Sequence, residues 1–246
     1  MKSKLLLALP WLAALTLAGG CNHHEHDDPA PLGTTPVADF DATTAREWFD
    51  FLFQAIDTEN LNPPEASRKI AYAGVAFYEG LVGGMAGYSS LGGQLNELPA
   101  LPSAPAGRLH WPAVANAAVA MVLTDLFAGM TTTLTNITAK EAALEAQFAV
   151  ELGSDTATLD RSIQHGQAVG ATILAWIDGD NYAVNNDCAY TPPTGDGLWV
   201  PTGSGNALEP CWGMLRTFVL ATADECDPLG HPPFSKVLGS DFANEA

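Results

Sequence analysis

Six consecutive residues near the start of the chain carry side chains that bind divalent cations. They are three imidazoles and three carboxylates: His23, His24, Glu25, His26, Asp27 and Asp28. Imidazole and carboxylate are adequate ligands for several metals. However, adjacent ligands in a polar segment that also contains prolines are not held in one four-coordinate arrangement by surrounding hydrogen bonds. The sequence therefore favours a flexible tether in this region and predicts no metal-binding residue.

Cys21 is the second residue with possible chemistry, because of what precedes it. Two early lysines and an apolar run that ends in small residues are typical of an export signal, and the run is too short to span a bilayer. We therefore predict a signal peptide over residues 1–20 and a tether over residues 21–42. The small residues before Cys21 are similar to the bacterial lipoprotein box, although Ala18 stands where leucine is usual. Lipid attachment at Cys21 is the favoured interpretation, and ordinary secretion with a free or lost cysteine is the alternative.

This start predicts the compartment and the first partner. We expect an exported lipoprotein in the periplasm or at the cell surface, anchored to the membrane through its acyl chains. The formal net charge is −18, with 28 acidic against 10 basic residues. Such a surface repels nucleic-acid phosphates, so no nucleic-acid partner is expected.

Three further cysteines, Cys188, Cys211 and Cys226, lie in the last third of the chain. Disulfides persist in exported proteins, so one bond and one free thiol are the simplest outcome. The spacing does not decide which two of the three form the bond. Because no two of them form a C-x-x-C unit, a structural zinc site gains no support.

The remaining chemical candidates are scattered. The arginines are Arg46, Arg68, Arg108, Arg161 and Arg216, and their dispersal predicts solvated helix charges or pairs with local carboxylates. His165 is surrounded by small residues and is interpreted as a packed or surface histidine. Hydrolase and phosphate-loop motifs do not occur in the sequence. We therefore predict no catalytic residue and no cofactor-binding residue in this chain.

The elements that must position these residues have helical signals. Apolar residues recur at helical spacing in five segments, which predicts helices over 44–57, 63–83, 111–129, 138–152 and 155–178. Thr44 with Glu47, and Thr138 with Glu141, have the spacing of a capping box, and Asn62 is placed to cap the second helix. No segment alternates convincingly with a period of two. Residues 43–246 are therefore predicted to form one all-α domain, a helical bundle.

The last long helix is followed by a segment without helical periodicity, residues 182–235, which we call the strap. It is rich in proline, glycine and tryptophan, and its apolar residues predict a backbone that crosses the bundle with its aromatics packed down. Gly166 and Gly170 lie four residues apart in the preceding helix. This spacing permits close approach of a neighbouring helix.

Several segments together resemble a known family. They are AREWFDFLFQAI, PPEASRKIAYAGVAFYEGLVG, SLGGQLNELPALP, HWPAVANAAVAMVL, GQAVGATILAWIDGDNY, PPTGDGLWVPT, ALEPCWGMLRTFVL and HPPFS. In this order they resemble the amino-terminal half of bacterial vanadium-dependent haloperoxidases, which belong to the type 2 phosphatidic acid phosphatase superfamily. The resemblance covers roughly residues 43–235 and implies a strap that wraps the helical bundle.

The resemblance also implies a chemistry. In this family a lysine and two arginines hold vanadate or phosphate, a Ser–Gly–His element supplies a hydroxyl, an amide and an imidazole, and a second histidine binds the metal or attacks phosphorus. The nearest match here is Ser204–Gly205–Asn206, which lacks the imidazole. His231 follows a glycine but has no serine in place. The resemblance therefore implies that vanadate or phosphate binds only together with a carboxy-terminal half that this chain lacks.

Two hypotheses follow from the sequence. The first is an exported, lipid-anchored portion of a haloperoxidase-like or acid-phosphatase-like protein, inactive alone, whose partners are the absent half or a second copy of itself. The second is a complete, non-catalytic helical lipoprotein that binds a partner or ligand at the cell envelope. The end of the chain, part-way through what resembles a new helix, favours the first.

Overall fold

The computed structural model describes residues 35–186, 188–203, 205–228 and 230–245. The predicted signal peptide, Cys21 and the cluster from His23 to Asp28 lie outside the described residues. None of the described helices is long and apolar enough to cross a membrane.

Five long helices account for most of the fold. They are α1 (Thr43–Thr58), α2 (Pro63–Val82), α3 (Trp111–Leu126), α4 (Thr131–Leu152) and α5 (Thr156–Asp178). Two short helices follow, α6 (Tyr182–Asn185) and α7 (Asp241–Glu245), and 3-10 turns occur at Val37–Asp39 and Trp212–Met214. The described part of the chain contains no strand. The predicted all-α fold is confirmed.

Helix α3 is the centre of the bundle, because nearly all of its residues are buried. It packs against α2, α4 and α5. Its alanines leave little volume between helices, and glycines on the neighbouring helices bring the backbones closer still. A Cβ at Gly166 would lie 2.2 Å from the carbonyl oxygen of Val114, and one at Gly80 would lie 2.7 Å from the Cα of Ala115. Gly166 therefore has the close-packing role that its spacing predicted.

Three predicted helix ends need correction. Helix α4 begins at Thr131, not at Thr138, whose hydroxyl donates to the carbonyl oxygen of Leu134 inside the helix. The earlier turns are helical because Thr133 and Ile137 are buried against the bundle. Thr44 is likewise a buried helix residue and does not cap α1, which begins after Ala42. Helix α3 ends at Leu126, three residues before the predicted end, and Gly129 has a φ of 89° in the following turn.

The predicted cap at Asn62 agrees with the structure, and the other helix ends have local causes. The Asn62 side chain accepts a hydrogen bond from the Glu65 amide, and prolines occupy the first turn of α2. Gly83 follows the last residue of α2, and Gly153 follows α4 with a φ of 59°. Helix α5 begins at Thr156, and the Asp155 side chain caps it by accepting from the Thr158 amide.

The strap differs from the prediction that its aromatics pack down. Phe218 does pack, against the rings of Tyr72 and Trp176. Most of the other large apolar side chains in the strap are exposed to solvent, among them Tyr190, Leu198, Trp199, Val200, Leu208, Met214 and Val219.

Candidate functional site

A buried ionic cluster lies where α2 and the end of α5 meet. The Arg68 guanidinium donates through Nε to Asp180 Oδ2 at 2.7 Å, and the Tyr72 hydroxyl donates to the same oxygen at 2.9 Å. Arg68 also lies over the ring of Tyr182, with 4.4 Å between its Cζ and the ring centroid. Asp180 is only 3% exposed, so its charge is balanced by direct contacts and not by solvent.

Arg216 joins this cluster from the strap. Its backbone amide donates to the carbonyl oxygen of Asp180 at 3.1 Å, and its guanidinium contacts the Tyr72 hydroxyl at 3.3 Å and Glu97 at 3.5 Å. The guanidinium also lies over Trp176, 4.5 Å from the ring centroid. The Arg216 side chain is therefore 8% exposed, although it belongs to the least regular part of the chain.

Asn96 provides a second fastening for the same part of the strap. Its side-chain amide donates to Thr217 and to the carbonyl oxygen of Leu220, and its backbone amide donates to the carbonyl oxygen of Phe218 at 2.8 Å. The Trp176 indole donates to the carbonyl oxygen of Asn96 at 2.8 Å. Residues 216–220 are thus held against α2 and α5 by polar contacts around one packed aromatic ring.

The sequence interpretation of the arginines is wrong for Arg68 and Arg216. Both are largely buried, and they converge from positions far apart in the chain on Asp180 and Tyr72. Sequence reasoning missed this site because each partner is distant in sequence and no local spacing marks it. Arg46 is an exposed helix charge, as predicted, and contacts Thr43. Arg108 and Arg161 lie at the surface, where Arg108 pairs with Asp155, 47 residues away, and Arg161 donates to the carbonyl oxygen of Arg108.

A polar cavity of about 450 Å³ opens beside the ionic cluster. Its lining includes Arg68 of the cluster and also Asn62, Glu65, Lys69, Tyr182 and Glu209. The Lys69 ammonium is bound to Glu65 at 3.2 Å and donates to the carbonyl oxygen of Leu126. Burial lowers the pKa of Lys69, while Glu65 opposes this change. The cations of the cavity are therefore already paired with protein oxygens.

The phenols at this site favour their neutral forms. Burial, with Asp180 as a second cause, raises the pKa of Tyr72 far above its ordinary value. Burial and the nearby carboxylates Glu65 and Glu209 raise the pKa of Tyr182 to about 12. At neutral pH, Tyr72 therefore donates its hydroxyl hydrogen to Asp180, and Tyr182 presents a neutral aromatic ring to Arg68. The arrangement fastens the strap to α2 and to the end of α5.

The described histidines lie away from this cluster. His110 caps α3: its Nδ1 accepts from the Ala113 amide, so its Nε2 donates to Glu151 at 3.0 Å. His165 is buried with its ring near Trp111, which agrees with the packed interpretation. His231 is exposed beside the ring of Phe242. Ser204 lies outside the described residues, and its neighbours Gly205 and Asn206 are exposed.

The structure shows which two of the three cysteines in the last third of the chain form a disulfide, a choice that the sequence left open. Cys188 and Cys211 form a disulfide that links two points of the strap 23 residues apart, and Cys226 is free and exposed. The described residues contain no group of three or more histidine, cysteine or acidic side chains that could hold a metal ion.

The protein is thus an all-α bundle crossed by a strap, and an ionic cluster fastens the strap to the bundle. Among solved structures, a bacterial vanadium-dependent iodoperoxidase is similar to this chain, with a TM-score of 0.70 and 26% sequence identity. The match covers 86% of this chain and 50% of the iodoperoxidase, so the chain spans about half the length of that protein. No family model and no curated protein matches. The chain therefore has a vanadium haloperoxidase-like fold, as the resemblance predicted.

Proposed function

We propose that this chain is the scaffold portion of an exported vanadium haloperoxidase-like or acid-phosphatase-like protein, anchored by lipid at Cys21 and inactive by itself. The solved iodoperoxidase supports the fold-level part of this proposal. The lipid anchor rests on the sequence before Cys21, and the observation that carries the proposed inactivity is the state of the clustered cations. In the described residues, Arg68, Lys69 and Arg216 are already committed to carboxylates, a carbonyl or an aromatic ring.

The residues present do not fit vanadate or phosphate. A multiply charged oxyanion needs several positive donors that point at its oxygens and have no other partner. The polar cavity presents Glu65, Asp125 and Glu209 together with Arg68 and Lys69, so a trianion placed there would meet three carboxylates. We therefore derive no catalytic step from this cavity. On this proposal, cationic groups from another polypeptide segment complete any oxyanion site.

The activity arm of the test uses the purified full chain. We expect no peroxide-driven oxidation of iodide or bromide with added vanadate, and no hydrolysis of a phosphomonoester. Equilibrium dialysis should detect no vanadate binding in the micromolar range. A turnover that persists through successive purification steps and disappears in an Arg68→Met variant would contradict the proposal.

The anchoring arm uses expression in a bacterium that processes lipoproteins. We expect the chain in the membrane fraction, with a mass at its mature amino terminus that matches a diacylated cysteine. Cys21→Ser should release the protein into the soluble exported fraction. Cys226→Ser is the matched control, since it removes an exposed thiol elsewhere and should leave the protein in the membrane fraction. Equal fractionation of both variants would rule out the anchor.

A further inference from the structure

A groove of about 510 Å³ lies on the strap next to the disulfide. Its lining comes from two stretches of the strap, with Pro210, Cys211 and Met214 from the first and Ala223, Asp224 and Asp227 from the second. The Cys188–Cys211 disulfide links the first stretch to an earlier part of the strap. The groove is therefore an open depression in a cross-linked segment, separate from the ionic cluster and its cavity.

The apolar part of the groove is exposed to solvent, in contrast to the large apolar side chains of α3, nearly all of which are buried. Met214 is 66% exposed, and Leu208 and Val219, close to it in the sequence, are also exposed. Methionine adapts its shape to different apolar partners and is frequent at protein-binding surfaces. Met214 therefore supplies an exposed apolar surface inside a concave depression, where an apolar side chain of a partner can be buried.

The charge around the groove has one sign. Asp224 and Asp227 line it, Glu225 lies between them, and no ion pair in the described part of the chain includes any of the three. A hydrogen bond from the Thr222 side chain lowers the pKa of Asp224, so its carboxylate remains ionised over a wide pH range. The nearest strap cation, Arg216, points into the ionic cluster.

We propose that this groove docks a basic amphipathic helix of a partner polypeptide, with an apolar side chain against Met214 and lysines or arginines opposite Asp224 and Asp227. An amphipathic helix fits because it presents apolar and basic side chains on one face, opposite the apolar and acidic surfaces that lie side by side in the groove. The identity of the partner rests on the proposed function. On the proposed function, the partner supplies the cations of an oxyanion site and is therefore basic. Its charge complements Asp224 and Asp227 in the groove and the net charge of −18 of this chain.

The test uses the full chain and two synthetic helical peptides of equal length and apolar content, one of leucine and lysine and one of leucine and glutamate. Isothermal titration calorimetry should detect binding of the lysine peptide only, weakening as salt concentration rises. Asp224→Asn combined with Asp227→Asn should weaken that binding about threefold to tenfold, as expected for exposed charge pairs. Met214→Ser should weaken it about tenfold through lost apolar contact.

Matched controls separate this groove from the general acidity of the protein. Asp50→Asn combined with Asp160→Asn changes the net charge equally on α1 and α5, and Val150→Ser removes an apolar side chain that is 83% exposed on α4. Neither control should change the affinity by more than about twofold. Far-UV circular dichroism of each variant should match that of the parent chain.

Three results would overturn the docking proposal: equal binding of both peptides, equal loss in the control variants, or a dimer of the free chain that Met214→Ser dissociates in light scattering. The last result would make a second copy the occupant. The outcome is separable from the proposed function, because peptide docking requires no vanadate and no turnover. A failed titration leaves the inactive scaffold in place, and a measured turnover leaves the docking result in place.

Discussion

The bundle and the strap use the same kinds of side chain in opposite ways. In the bundle, Trp48 and Trp111 are almost completely buried, and most of the large core side chains belong to the five long helices. In the strap, Trp199 and Met214 are exposed, whereas Phe218 packs against Tyr72 and Trp176 of the bundle. The helices therefore bury their large apolar side chains against one another. The strap is held mainly by polar contacts, and many of its apolar side chains are exposed to solvent.

Gly166→Ala should destabilise the helical bundle more than any other substitution proposed here. The added Cβ would lie 2.2 Å from the Val114 carbonyl oxygen and would push α5 away from α3. We expect the free energy of unfolding to fall by about 3 kcal/mol or more. Gly74→Ala is the matched control, because nothing lies within 4 Å of its added Cβ, and it should stabilise helix α2 by about 0.5 to 1 kcal/mol. Urea denaturation of both variants measures the contrast, and similar values would contradict the close packing.

Asp180→Asn should break the fastening between the two regions. It leaves the buried Arg68 guanidinium without its carboxylate, which costs about 3 kcal/mol. We expect the lost stability to be accompanied by a change in tryptophan fluorescence, because Trp176 lies under Arg216 in the same cluster. Asp178→Asn, two residues earlier and exposed, should change stability by less than about 0.5 kcal/mol. Equal effects of the two substitutions would mean that the cluster does not hold the strap.

Replacing Cys188 and Cys211 by serine should loosen the strap and leave the helical bundle unchanged, because both cysteines lie in the strap. The disulfide closes a loop of 23 residues, and its entropic contribution is about 3 kcal/mol, or about a hundredfold in the equilibrium for local opening. We expect faster hydrogen exchange and proteolysis within residues 188–211, with helix content unchanged. Cys226→Ser should change neither. Loss of helix content in the double variant would show that the bundle depends on the strap.

The smallest expected effect is a pH dependence within the bundle. Burial, with Glu145 as a second cause, raises the pKa of Glu141 to about 7. The folded protein therefore binds a proton more tightly than the unfolded chain does, so this contribution to stability is full at low pH and is lost as the pH rises through about 7. Glu141→Gln should flatten the stability profile between pH 5 and about 7, measured by urea denaturation. Asp160→Asn, an exposed carboxylate on α5, should leave the profile unchanged.

The bundle could be predicted largely from the sequence, because its signals are local. Apolar residues at helical spacing indicated five helices, and Asn62 identified the start of α2 through a contact three residues away. Errors occurred where tertiary burial overrode a local signal. The clearest case is Thr138, whose capping-box spacing is real but which lies inside α4 because Thr133 and Ile137 pack against the bundle.

The candidate site could not be predicted, since its members come from separate parts of the chain. Arg68, Asp180 and Arg216 have no local spacing that distinguishes them from surface charges, and only the packing of α2, α5 and the strap brings them together. The same holds for the exposed face of the strap. Its composition indicated an apolar segment, but not which side chains would find space on the bundle.

The helical class, the order of the elements and the resemblance to haloperoxidases could be read from the sequence. Apolar periodicity and short motifs involve residues that are close together in the chain, so no tertiary structure is needed to recognise them. The tertiary structure decided which cysteines pair, which arginines are buried and which apolar residues remain exposed. The physical reason is that burial and charge pairing depend on distances in space, and these are set by how closely α3 and its neighbours pack.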